Sequence, residues 1–153
     1  MDFERRDAPA CVPAAARLAV LYDADCGLCK WLLSWLLRRD RTRVLRPVAL
    51  QGDEARELLA DLSPQERMAS WHLISASGER DSGGAALAPL LRALPGGAPA
   101  ALVVARLPRL TDRAYRWVAA NRTQLSRLVP ARSKRRASEL VRARERAHGQ
   151  ASA

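Results

Sequence analysis

Two cysteines separated by two residues, Cys26 and Cys29, are the side chains of this sequence best suited to chemistry. They follow the short apolar run 17–22, which predicts a buried strand, and they begin a stretch with helical spacing. The first turn of a helix carries unpaired N–H groups and a partial positive charge, which stabilise a thiolate. Because three helical residues bring the second sulfur to the same side, we expect thiol–disulfide exchange, with Cys26 attacking and Cys29 resolving.

Two carboxylates lie beside the cysteines, at Asp23 and Asp25. A negative charge next to Cys26 opposes thiolate formation, so these residues need a separate explanation. Two roles are open to Asp25: it caps the N-terminus of the helix, or it moves a proton to and from Cys29 during resolution. We therefore include Asp23 and Asp25 with Cys26 and Cys29 as candidate catalytic residues.

A cysteine pair of this spacing is also half of a zinc site, so a structural metal site is the first alternative. A complete site needs two more ligands, and the candidates Cys11, His72 and His148 each stand alone in the sequence. His72 falls in a predicted apolar strand, where a core or edge histidine is expected. We predict no metal site and no bound cofactor, since dithiol exchange requires neither.

The charge of the chain is strongly basic and unevenly placed. The 26 Lys and Arg residues outnumber the 16 Asp and Glu residues, so the formal net charge is +10. Residues 132–146 hold seven basic residues against two glutamates, a net charge of +5. A second hypothesis is therefore a non-catalytic binding module whose Arg-rich tail contacts an acidic partner or nucleic acid. Nucleic acid is the less expected partner, because no aromatic residues alternate with the basic ones.

Composition divides the chain into three parts. Residues 1–16 predict a loose leader, residues 17–130 one domain, and residues 131–153 a basic tail in the form of a frayed helix. A strand–helix–strand start predicts a parallel pair with a right-handed crossover, and a later hairpin adds antiparallel strands. We therefore expect an α/β fold, a mixed four-stranded sheet flanked by helices on both faces, with extra helices toward the C-terminus.

The predicted boundaries rest on local signals. Pro47 cannot donate to a strand ladder, which favours an edge position for its strand. Ser63 followed by Pro64 predicts the start of a helix, and Thr111 is expected to cap another. The predicted strands are 17–22, 43–50, 70–76 and 80–82, and the predicted helices are 26–39, 53–62, a short one from 63, 83–94, 100–107 and 111–128.

Localisation is predicted from the apolar segments and the first residues. No segment reaches the roughly 18–20 uninterrupted apolar residues that a bilayer span needs. Residues 1–16 lack the basic-then-apolar order of a secretory signal. Three cysteines do not make an even disulfide framework, and a close pair in a reducing compartment is more often catalytic than structural. We expect a cytoplasmic protein.

Two separated motifs resemble the DCC family of thiol–disulfide oxidoreductases. The first is Tyr22-Asp23-Ala24-Asp25-Cys26-Gly27-Leu28-Cys29, against the family pattern aromatic-Asp-Gly-x-Cys-x-x-Cys after an apolar strand. The second is an ordered set in a late helix: Asp112, Tyr115, Asn121 and Arg122. The stretch 49–51 and the turn at 82–83 are also similar, so the resemblance covers roughly 18–128.

The resemblance implies a thioredoxin-like fold and exchange with a protein or low-molecular-weight thiol or disulfide. Cys26 and Cys29 correspond to the catalytic pair, while Asp23 and Asp25 are motif neighbours. Tyr115, Asn121 and Arg122 match only in position, and we interpret them as structural. One departure is Ala24 in place of the usual Gly. Another is the absence of a proline just before the third strand, where thioredoxins at large carry a cis-proline.

Overall fold

The computed structural model describes residues 17–149, and within them the chain forms a mixed four-stranded sheet. The strands are β1 (Leu18–Tyr22), β2 (Leu45–Ala49), β3 (His72–Ile74) and β4 (Arg80–Ser82), in the spatial order β2-β1-β3-β4. β1 pairs with β2 in parallel and with β3 antiparallel, and β3 pairs antiparallel with β4. The predicted sheet is confirmed, and so is the edge position of the strand that contains Pro47.

Helices cover both faces of this sheet. They are α1 (Gly27–Arg39), α2 (Asp53–Leu58), α3 (Pro64–Ala69), α4 (Leu87–Ala93), α5 (Ala98–Arg106), α6 (Pro108–Ala120), α7 (Arg122–Leu128) and α8 (Ala131–Gly149), with a 3-10 turn at Gly83–Ala86 before α4. Together with the sheet they form the α/β, thioredoxin-like arrangement that we expected.

The core lies in two clusters because side chains alternate across β1. Val20 and Tyr22 point to the face that α1, α4 and α8 cover. Ala19 and Leu21 point to the other face, where they pack with residues of β2 and of the α2 region. β1 is therefore buried on both sides and has a paired strand at each edge, so the residues that follow it start from a firmly held point.

Two helix boundaries test the local signals directly. Ser63 Oγ accepts a hydrogen bond from Glu66 N–H at 3.3 Å, and Ser63 N–H donates to Glu66 Oε2 at 2.9 Å, so the predicted cap is confirmed as a full capping box. The capping role of Thr111 is wrong. Pro108 starts α6 three residues earlier, and Thr111 lies inside the helix with its hydroxyl donating to Val104 O at 3.3 Å.

The basic segment after residue 130 packs against the domain. α8 lies along α1 and buries Ala137 and Val141. The Arg144 guanidinium lies 3.1 Å from the fully buried carboxylate of Asp40, the residue that ends α1. Our expectation of a frayed helix is therefore wrong for 131–149, because this stretch carries an apolar stripe as well as arginines. The leader 1–16 and residues 150–153 lie outside the described residues.

None of the helices within residues 17–149 has both the length and the apolar composition needed to cross a membrane.

Candidate dithiol site

The cysteine pair lies where the central strand β1 meets α1. After three turn residues, Cys26 takes the N-cap position of α1 with an extended backbone. Its Sγ accepts a hydrogen bond from Cys29 N–H at 3.2 Å, so the thiol itself caps the helix. This arrangement excludes the capping role considered for Asp25. That residue is exposed, and its own N–H donates to Asp23 Oδ1 at 3.0 Å.

The two thiols have opposite pKa shifts. Hydrogen bonds from the Cys29 thiol and from Cys29 N–H lower the pKa of Cys26 to about 6, although burial and the charge of Asp23 oppose them. The same thiol–thiol bond, together with burial, raises the pKa of Cys29 far above its usual range. At neutral pH Cys26 is therefore the thiolate and Cys29 keeps its proton.

The turn before Cys26 is tied to the end of β2 by Gln51. The Gln51 side-chain amide donates to Asp23 Oδ1 at 2.8 Å and to Asp25 Oδ2 at 3.3 Å, and its carbonyl accepts from Ala24 N–H at 3.1 Å. One side chain thus contacts all three residues of the turn. The sequence placed Gln51 only in a stretch of family resemblance, and its role needed the register of β1 against β2.

A break between two helices brings a cation to the site. Asn121 ends α6, and its side-chain amide donates to Trp117 O at 2.8 Å. The next residue, Arg122, begins α7, and its guanidinium lies 3.5 Å from Asp23 Oδ2. The charge of Arg122 lowers the pKa of both cysteine thiols, in opposition to Asp23. Arg122 therefore belongs to the electrostatics of the site, beyond the structural role that we expected.

Tyr115 connects α6 to the residues next to β3 and β4. Its hydroxyl accepts a hydrogen bond from Trp71 N–H at 3.0 Å, and the two rings are stacked with centroids 6.3 Å apart. Trp71 Nε1 donates to Gly83 O at 2.9 Å. Gly83 has a φ of +60°, and a Cβ there would lie 3.2 Å from the Tyr115 ring, so glycine suits both the backbone and the space. The structural interpretation of Tyr115 fits these contacts.

An apolar cavity of about 600 Å³ opens beside Cys29. α1, α5 and α6 form its walls, and Asp23 and Arg122 stand in its lining next to the cysteine. Leu32 and Trp35 of α1 line it while remaining 42% and 44% exposed. The apolar residues of 26–39 are spaced as in a helix that is buried on most sides, but this face of α1 is partly exposed. The cavity itself was missed because its walls come from segments distant in sequence.

Of the residues weighed as metal ligands, His72 and His148 lie within the described part of the chain, and neither joins the cysteine pair in a metal-binding group. Within residues 17–149 no group of three or more His, Cys, Asp or Glu side chains is placed to hold a metal ion. His72 is a buried core histidine, as predicted, with its ring nitrogens 2.7 Å from Ser82 Oγ and 3.1 Å from Arg67 O. His148 Nδ1 lies 2.9 Å from an Arg17 nitrogen, and Cys11 lies outside the described residues.

Comparison with known proteins gives one match. Residues 20–128 match the family model of the DCC1-like thiol–disulfide oxidoreductases. That range runs from β1 to the end of α7 and includes the cysteine pair, Gln51, Tyr115 and Arg122. No curated protein and no solved structure matches the chain.

Proposed function

The chain belongs to the DCC1-like thiol–disulfide oxidoreductase family, and on that premise we propose that Cys26 and Cys29 exchange two electrons with a partner disulfide or dithiol. The observation that carries the proposal is the Cys26 Sγ at the N-terminus of α1, where the hydrogen bonds from Cys29 lower the pKa of Cys26 to about 6. Such a thiol is largely a thiolate at neutral pH, and the thiolate is the attacking species.

The proposed reaction has two displacements. The Cys26 thiolate attacks one sulfur of the partner disulfide, which forms a mixed disulfide and releases the other partner sulfur as a thiolate. Cys29 then loses its proton and attacks Cys26 Sγ, which releases the second partner thiolate. The partner disulfide is reduced by two electrons and the Cys26–Cys29 pair is oxidised to a disulfide. The two partner thiolates take up the proton that Cys29 lost and one proton from solvent. The reverse sequence oxidises a partner dithiol.

The reaction as proposed needs no bound cofactor, and its partner is a protein or a low-molecular-weight thiol or disulfide. A cytoplasmic location is part of the same proposal. It is supported by the cysteine usage, since a close pair among three cysteines suits catalysis in a reducing compartment better than a structural framework.

Alkylation against pH tests the proposal. Cys26 is expected to react first with iodoacetamide, with a half-maximal rate near pH 6, because the thiolate fraction rises as the pH passes through the Cys26 pKa of about 6. Cys29 is expected to react slowly up to alkaline pH, since its pKa is raised. In a separate sample that has not been alkylated, incubation with hydroxyethyl disulfide should remove the Cys26 and Cys29 thiols and yield a Cys26–Cys29 link, detected by mass spectrometry. A half-maximal rate near the ordinary value of about 8.5 for Cys26 would contradict the proposal.

We propose that Asp23 accepts the proton of the Cys29 thiol during the second displacement. Asp23 lines the same cavity as Cys29, its side chain is only 12% exposed, and its charge raises the pKa of both cysteine thiols. Asp25 is exposed, and it is not among the main causes of either pKa shift. A carboxylate near the resolving thiol is a suitable acceptor because Cys29 must lose its proton before it attacks. Proton transfer by Asp25, the remaining role considered for it, stays a prediction that the same experiment tests.

The variant Asp23→Asn is expected to slow resolution of the mixed disulfide about a hundredfold, a typical contribution of acid–base catalysis. It should also move the Cys26 pKa further below its usual range, because a charge that raises this pKa is removed. Faster alkylation combined with slower resolution separates proton transfer from a structural role, which would not move the two in opposite directions. Quenched-flow trapping of the mixed disulfide measures the rate of its resolution.

The matched control is Asp25→Asn, which removes a carboxylate from the same turn. We expect its resolution rate to stay close to that of the parent. Slow resolution in the Asp25 variant, with the Asp23 variant unaffected, would move the proton-transfer role to Asp25.

A further inference from the structure

The cavity beside Cys29 continues outward into an exposed apolar surface. Val103, Leu107 and Leu110, which we call the α5–α6 rim, line the cavity and yet are 59%, 48% and 61% exposed. On the facing side, Trp35 of α1 is 44% exposed. Contiguous apolar surface of this kind is uncommon on a monomer and marks sites of interaction. The surface begins at the resolving cysteine, so whatever covers it lies against the dithiol.

The helices that carry the rim are also basic. Arg106, Arg109 and Arg113 are exposed, and within residues 17–149 none has a carboxylate within 4.0 Å. The carboxylate of Asp112 on α6 is occupied by Arg116 at 2.9 Å. Arg106 and Arg113 come three residues after Val103 and Leu110 on the same helices, a spacing that makes them surface neighbours of the rim. An occupant of the rim therefore meets uncompensated positive charge, and a complementary occupant is acidic.

We propose that the cavity and the α5–α6 rim bind an apolar peptide segment with acidic residues, located beside the reactive cysteine of a partner protein. The inference rests on the proposed exchange function and names its substrate class. A cavity of about 600 Å³ takes only a few large side chains. The rest of a peptide segment would cover the rim and reach the arginines, whereas a small apolar disulfide would fill the cavity and leave both uncovered.

Chromogenic peptides test this substrate class with the full chain. Each peptide carries one cysteine as a mixed disulfide with thionitrobenzoate, whose release by Cys26 is followed by absorbance. The first peptide has Leu and Phe after the cysteine and then two Glu. The second has Lys in place of Glu, and the third has Ser and Asn in place of Leu and Phe. With the reduced protein in a single turnover, we expect the first peptide to give a second-order rate constant for thionitrobenzoate release about tenfold or more above each of the others. The second peptide opposes like charges, and the third loses the burial of apolar side chains.

Variants of the rim locate the effect. Val103→Glu and Leu110→Glu are expected to lower the second-order rate constant for the first peptide about tenfold relative to that for hydroxyethyl disulfide. Both side chains are more than half exposed, so the fold should tolerate the change, and thermal unfolding checks this. The matched controls are Leu102→Glu and Leu128→Glu. These leucines are 54% and 79% exposed but do not line the cavity, and the relative preference should stay unchanged.

The outcomes separate this inference from the function on which it rests. If the parent protein exchanges neither the peptides nor hydroxyethyl disulfide, the proposed function fails. If it exchanges hydroxyethyl disulfide while the three peptides react alike, the function stands and the substrate class is wrong. A third outcome is that the parent protein sediments with anionic phospholipid vesicles, that Val103→Glu abolishes this sedimentation, and that the peptides react alike. This outcome would assign the rim to a membrane surface and overturn the proposal.

Discussion

Replacing Cys26 by serine is expected to abolish thiol–disulfide exchange, with a loss on the order of a thousandfold or more, down to the uncatalysed rate. The reason is that Cys26 supplies the thiolate at neutral pH, whereas the raised pKa of Cys29 leaves it protonated. Cys29→Ser should behave differently. It keeps the attacking sulfur, so one equivalent of mixed disulfide should form and persist. Mass spectrometry after reaction with hydroxyethyl disulfide distinguishes the two variants.

The third cysteine provides the control for that pair. Cys11→Ser is expected to retain the exchange rate of the parent, because Cys11 lies in the predicted leader, outside the proposed site. Full turnover by Cys29→Ser would show that one cysteine suffices and would remove the two-displacement scheme. Loss of activity in the Cys11 variant would place that cysteine in the reaction.

Replacing Arg144 by alanine is expected to lower the free energy of unfolding by about 3 kcal/mol. Arg144 is 11% exposed and lies against the fully buried carboxylate of Asp40, to which the N–H groups of Val44 and Leu45 also donate at 3.0 and 2.9 Å. A second Arg144 nitrogen donates to Leu37 O at 3.2 Å. Without the cation, the buried negative charge of Asp40 keeps only the two backbone N–H donors and the Thr42 hydroxyl at 3.5 Å. Urea unfolding followed by circular dichroism measures the loss.

Arg146→Ala is the matched control, since this neighbouring arginine is exposed and should change stability by no more than about 0.5 kcal/mol. The sequence predicts that residues 17–130 form one domain. Truncation of the chain after Pro130 tests whether this domain folds without α8. The truncation removes the buried Val141 and the Arg144 that neutralises Asp40, so we expect the truncated chain to lose cooperative unfolding. A truncated chain as stable as the parent would show that α8 is an accessory helix.

Local signals predicted the start of the site well. The apolar run before the cysteines and the helical spacing after them located the junction of β1 and α1 to within one residue. Pro47 predicted an edge strand, and Ser63 with Pro64 predicted a helix start, because each acts through its own backbone geometry. Such features depend on neighbours in sequence and are readable without the fold.

The failures have two physical causes. The first cause is competition between local signals. Pro108 begins α6 ahead of Thr111, which was the other candidate for the helix start. In α8, Ala137 and Val141 lie four residues apart on one helix face, but the many arginines around them made the segment look wholly polar. The other is distance in sequence. The cavity beside Cys29 needs α1 together with α5 and α6, and the place of Gln51 needs the register of two strands. No local pattern contains that information.

The contact between Arg144 and Asp40 spans 104 residues of sequence, and this has a consequence for synthesis of the protein. At about 5–20 residues per second, the ribosome completes the cysteine-bearing helix about 5–20 seconds before the arginine that neutralises its last residue. During that interval the face of α1 that packs against α8 has no helix against it, and the buried carboxylate of Asp40 has no cation beside it. Neutralisation of the far end of the cysteine-bearing helix is therefore a late event in biogenesis, because it requires α8 to have been synthesised.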